Sequence, residues 1–87
     1  MPEKLDLTQS ESVQNFLKAV YKLQQQQERV STNSLADVLN VAAPSVTDMA
    51  QRLVTAGLVD YERYKGVVLT PVGETLALKI IRRHRLI

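Results

Sequence analysis

Along the first third of the chain, apolar side chains recur at Val13, Phe16, Leu17, Val20 and Leu23. Steps of three and four residues put them on one face of an α-helix. Thr8 can cap this helix, Glu11 three residues on completes a capping box, and the pattern carries to about Gln27. Gln24 to Gln27 read as its solvated end, since glutamine is a fair helix former. Ser31 or Thr32 then caps a short second helix, TNSLADVLN. The periodicity lapses through Asn40, Val41, Ala42 and Ala43 before Pro44 opens a third helix, 44–56, at a position where its missing N–H costs nothing. Val46, Met49, Ala50, Leu53, Val54 and Gly57 form the expected buried face of that helix, and Gly57 suits its left-handed end.

After Gly57 the pattern changes to LVDYERYKGVVLT, rich in Val, Leu and Tyr and broken at Tyr64-Lys65-Gly66. It predicts a hairpin of two short strands within 58–70. Thr70 and Pro71 cap and open a fourth helix whose apolar stripe reads Val72, Leu76, Ile80, His84 and Ile87, with Gly73 weakening its first turn. The expected fold is mainly α with a small β-hairpin. Helix, helix, tight turn, helix, hairpin, helix is the order of a winged helix-turn-helix. It fills residues 8–87, behind an N-terminal tail of residues 1–7.

In that fold the third helix lies in the major groove of DNA. It needs one face buried for rigidity and short polar groups on the other, because long side chains hold the backbone away from base edges. Its polar face carries Ser45, Thr47, Asp48, Gln51, Arg52 and Thr55. Ala42 and Ala43 keep its entry narrow, and the N–H groups near Ser45 suit a phosphate. Ser45 and Thr47 can bond bases or phosphates, Gln51 can read adenine, and Arg52 can meet guanine or the backbone. Asp48 can accept from a cytosine amine or, left solvated, lower non-specific binding. Arg63 and Lys65 near the hairpin tip suit a wing touching the backbone; with Tyr61 they otherwise form only its solvated side.

Charge strengthens this picture through its placement. Residues 1–43 hold four basic and five acidic side chains, and residues 44–87 hold seven and four. Lys79, Arg82, Arg83 and Arg85 crowd the last nine positions, where they also suit the negative pole of a helix. The 87 residues allow one domain. No cysteine is present, so disulfides and thiolate metal sites are excluded. No long apolar run or signal-like start appears, and a cytoplasmic location without membrane partners is expected. No Ser/His/acid arrangement, glycine-rich phosphate loop or paired carboxylates beside His84 suggest an enzyme. The competing expectation is a winged-helix protein-interaction module without DNA binding of its own, docking through its glutamines and last helix.

The segment from SLADVLNVAAPSVT through YKGVVLTPVGE to RRHRLI, with NFLKAVYKL before it, resembles the N-terminal domain of the diphtheria toxin repressor and manganese transport regulator family. The resemblance covers nearly the whole chain. It implies a dimeric bacterial or archaeal repressor of metal-homeostasis genes, responsive to manganese(II) or iron(II), that occupies a palindromic operator in double-stranded DNA. It also implies DNA contacts at Ala42, Pro44, Ser45, Thr47 and Asp48 and a metal-binding role for His84. Two departures stand out. Asn15 replaces a thioether or carboxylate ligand, and Lys18 replaces a carboxylate of the manganese branch. The family's other ligands and its dimerisation helices lie beyond the position of Ile87, so the last helix is expected to lead toward a dimerisation domain.

Overall fold

A computed structural model describes residues 10–85, with side chains described from Ser10 to Arg83. Its elements are α1 (Glu11–Leu23), α2 (Thr32–Leu39), α3 (Ala43–Thr55), β1 (Val59–Glu62), β2 (Gly66–Leu69) and α4 (Pro71–Arg85). This is a winged helix-turn-helix. The 1–7 tail and the Thr8 cap lie outside the described residues.

Ser10 is the residue that caps α1, accepting from the Val13 N–H at 3.4 Å, which makes Glu11 the first helical residue rather than the third. At its other end α1 stops at Leu23, four residues short of the expected limit. The Gln25 and Gln26 N–H groups reach carbonyls only three residues back, tightening the chain out of the helix. Gln24 is not merely solvated, because its side-chain Oε1 accepts from the Leu69 N–H at 3.2 Å and ties this corner to β2.

Ser31 caps α2, and Asn40 ends it in the left-handed conformation (φ 59°), which asparagine tolerates better than most side chains. Only Val41 and Ala42 separate that residue from α3, which gives the tight turn. Gly57, at φ 80°, ends the far side of α3.

The core gathers Phe16, Leu17 and Val20 of α1, Leu35 of α2, Val46, Ala50 and Leu53 of α3, Val59 and Val67 of the hairpin, and Ala77 and Ile80 of α4. Among the described residues, three positions of the expected buried faces are exposed, Gly57 at the end of α3 among them. Val54 is 42% exposed, because the packed stripe of α3 is centred on Val46, Ala50 and Leu53. Val72 is 64% exposed, because α4 turns Gly73, Ala77 and Ile80 inward instead. Gly73 is therefore a contact and not a weak point: a Cβ there would overlap the Leu58 carbonyl.

The two strands pair antiparallel, with Val59 opposite Leu69 and Tyr61 opposite Val67. Tyr61 thus belongs to the inward face and packs against the core, so the alternative that put it with Arg63 and Lys65 on a solvated side does not hold for it. The strand ends at Glu62, so its alternation does not extend to Arg63 and Lys65.

Candidate nucleic-acid interface

The exposed face of α3 starts at its entry. Ala42, Pro44, Ser45, Asp48, Gln51, Arg52 and Thr55 are all exposed, and after Ala42 and Pro44 no apolar side chain is exposed until Val54. Thr47 sits on the flank, half-buried, with its hydroxyl donating to the Ala43 carbonyl at 3.4 Å. That bond leaves the oxygen able only to accept. Arg52 and Asp48 pair at 3.3 Å, one turn apart, with about two-thirds of each side chain exposed. Such a pair adds little stability but draws the guanidinium toward the helix entry.

The entry itself differs from those of the other helices. Ser10, Ser31 and Thr70 each accept a backbone N–H with a side-chain hydroxyl. Ala42 holds the extended conformation of a cap (φ −74°, ψ 149°) and supplies no such oxygen. The entry of α3 is therefore neutral and lies at the positive pole of the dipole, which suits an approaching anion. The N–H groups expected near Ser45 are not all free, however: Pro44 has none, and the Ser45 N–H donates to the Ala42 carbonyl at 3.0 Å.

The wing is held stiffly at its base. Val30 and Val67 exchange both backbone hydrogen bonds, at 2.9 and 2.8 Å, so the linker before α2 acts as a third short strand. Gly66, at φ 106°, permits this, since a Cβ would overlap the Val30 carbonyl. Arg29 donates to the Gly66 carbonyl at 3.1 Å and to the Asp60 carboxylate at 2.7 Å, crossing both strands. Nothing in the residue pattern marked Arg29 for this role, because its partners lie more than thirty positions away in the chain. Replacing Arg29 with methionine should cost about 1 kcal/mol and speed amide exchange at Val30 and Val67. Unchanged protection of those two amides would show that the clamp is idle.

At the wing tip Arg63 and Lys65 are both exposed. Lys65 leans 3.7 Å from Glu62, and the Arg63 guanidinium lies 5.2 Å from the centre of the Tyr64 ring. The Lys65 N–H closes a β-turn onto the Glu62 carbonyl at 3.0 Å. Tyr64, third in that turn, has φ 72°, where glycine or asparagine is favoured and another L residue loses about 1–2 kcal/mol.

The residues described do not form a metal centre. No group of three or more His, Cys, Asp or Glu side chains converges among them. Asn15 and Lys18 share a groove with Lys22, Val38 and Leu39, and one amide between two ammonium groups is the wrong donor set for a cation. The His84 side chain lies outside the described residues.

Residues 8–67 match the family described as iron dependent repressor, N-terminal DNA binding domain. Over 76 residues the chain is 34% identical to the HTH-type transcriptional regulator MntR of Lysinibacillus sphaericus, covering 87% of this chain and 55% of that protein. An uncharacterised HTH-type transcriptional regulator of Methanocaldococcus jannaschii is 37% identical over 79 residues, 90% of this chain and 63% of that one. Among solved structures, the manganese regulator SloR superposes with a TM-score of 0.72 at 35% identity, over 86% of this chain and 35% of that one. The chain thus spans between about half and two-thirds of the length of these two curated relatives.

Proposed function

The chain belongs to the iron-dependent repressor family, within its N-terminal DNA-binding domain, and from that premise we propose that it is the DNA-reading module of a transcriptional repressor of metal-homeostasis genes. The observation that carries this reading is the solvent face of α3: an uncapped entry at Ala42 followed by short or hydrogen-bonding side chains and little apolar surface. Ala42, Pro44 and Ser45 meet the groove at its narrowest approach. Thr47, Gln51 and Arg52 supply an acceptor, an amide and a guanidinium for base edges and phosphates, and Arg63 and Lys65 neutralise the adjoining backbone.

One copy makes few phosphate contacts and should bind weakly. A homodimer that sets two α3 helices about 34–36 Å apart reads a palindromic operator. Manganese(II) or iron(II) is the effector implied by the family. The donors described here do not fit either ion, so no step of DNA recognition is routed through one. A cytoplasmic location follows from the DNA target.

The test is selection of duplexes from a randomised pool, followed by titration at several salt concentrations. Affinity should fall steeply as salt rises, with a log–log slope of about −0.9 per phosphate neutralised. No binding at low salt would leave the protein-interaction reading in its place.

Asp48 offers a check on sign. Its carboxylate faces the same anions as Arg52, so Asp48→Asn should raise affinity for random duplex by about threefold to tenfold. Stability should change by less than about 0.5 kcal/mol, since the Asp48–Arg52 pair is largely exposed. Loss of affinity confined to the selected duplex would mean that Asp48 accepts from a base.

A further inference from the structure

Resting on the DNA-binding reading, we propose that Tyr64 is itself a DNA contact, laying its ring and hydroxyl against the sugar–phosphate backbone beside the groove entered by α3. Folding explains neither its conformation nor its side chain. The turn position favours glycine or asparagine, yet it holds an aromatic residue at φ 72°. The residue is 92% exposed and is absent from those packed on the core, unlike Tyr61 in the same hairpin. Backbone strain kept where packing gains nothing points to use by a ligand.

The surroundings indicate which ligand. Arg63 and Lys65 flank the tyrosine, and the groove beside it is lined by Ser31, Thr32, Asn33, Tyr61 and Lys65. A single ring between two cations, over a polar groove, matches a backbone that alternates apolar deoxyribose with phosphate. An apolar protein surface would have to desolvate the Lys65–Glu62 pair, the Arg63 guanidinium and the hydroxyls of the groove with nothing offered in return. The Arg29 clamp and the Val30 bridge stiffen the arm, so little order has to be imposed at the tip on binding.

The experiment titrates wild-type chain, Tyr64→Gly, Tyr64→Asn and Tyr64→Phe against a duplex of about 30 base pairs, long enough for two half-sites, chosen from a randomised pool by the wild type. Thermal unfolding is recorded for each protein. Glycine and asparagine relieve the backbone strain, so both variants should unfold at or above the wild-type temperature while binding about tenfold more weakly. Phenylalanine keeps the ring and should lose only about threefold. Because a tyrosine carries no charge, the salt slope should not move, whereas Lys65→Ala should reduce it by about one. Tyr64→Asn binding like wild type would overturn the proposal, whether or not the more flexible glycine variant weakens. A wild-type chain that binds no duplex at all would remove the DNA reading together with it.

Discussion

Replacing Gly73 with alanine should destabilise the domain severely, by about 3 kcal/mol or more, where helix propensity alone predicts a gain of about 0.5–1 kcal/mol. The two effects have opposite sign, and geometry decides between them. Gly73 lies in the first turn of α4, its N–H donating to the Thr70 hydroxyl at 3.0 Å, and that hydroxyl donates to the Gly57 carbonyl at 2.8 Å. A Cβ at this position would meet the Leu58 carbonyl group, which is backbone and cannot rotate aside. Either α4 moves off the core, exposing Ala77 and Ile80, or the corner that ends α3 distorts. A domain of this size has roughly 5 kcal/mol to lose. The midpoint of thermal unfolding should therefore fall by more than about 12 °C, at about 4–8 °C per kcal/mol. A midpoint at or above the wild-type value would show that the approach of α4 to Leu58 is looser than described.

The second large effect separates function from stability. Ala42→Asp should stabilise the fold by about 0.5 kcal/mol, at the low end for a cap, because Ala42 already has the backbone of one while the Ser45 N–H that the new oxygen would accept from already donates to the Ala42 carbonyl. A negative charge at the helix entry adds a little more through the dipole. The same carboxylate would stand where the account places a phosphate. Like charges forced together cost several kcal/mol, so duplex affinity should fall by at least about 100-fold. A more stable protein that no longer binds DNA would mean that α3 lacks a cap because its entry is used. If affinity stays within about threefold of wild type while stability rises, the entry of α3 does not face the duplex.

Much of this architecture was legible from the residues, and apart from the two ends of α1, set by the local bonds of Ser10, Gln25 and Gln26, the exceptions share a cause. The caps Ser31 and Thr70, the proline openings of α3 and α4, and the Gly57 stop are local devices, readable because their partners lie within a few positions. The stripe of α4 was misplaced by one position at Val72, and that of α3 was drawn too wide at Val54. Periodicity defines a stripe, whereas its centre depends on what the helix packs against. For α4 that was set by Gly73 and Ala77, small residues that read as gaps and serve as contact. Gln24, Arg29 and Gly66 act through partners 37 or more positions away for at least one bond each, or through the path of another segment, and no pattern signals that. The polar face of α3 was visible throughout, since spacing alone separates it from Val46, Ala50 and Leu53.

The proposed function requires the solvent face of α3 and the wing tip to meet duplex DNA together. Its most direct test is an amide chemical-shift map of the isotope-labelled chain, titrated with a duplex selected by the same chain. Shifts should concentrate at residues 42–52 and 63–66, with those of α1 and the middle of α4 nearly still. Shifts centred on α1 and α4, with residues 42–52 unmoved, would contradict it.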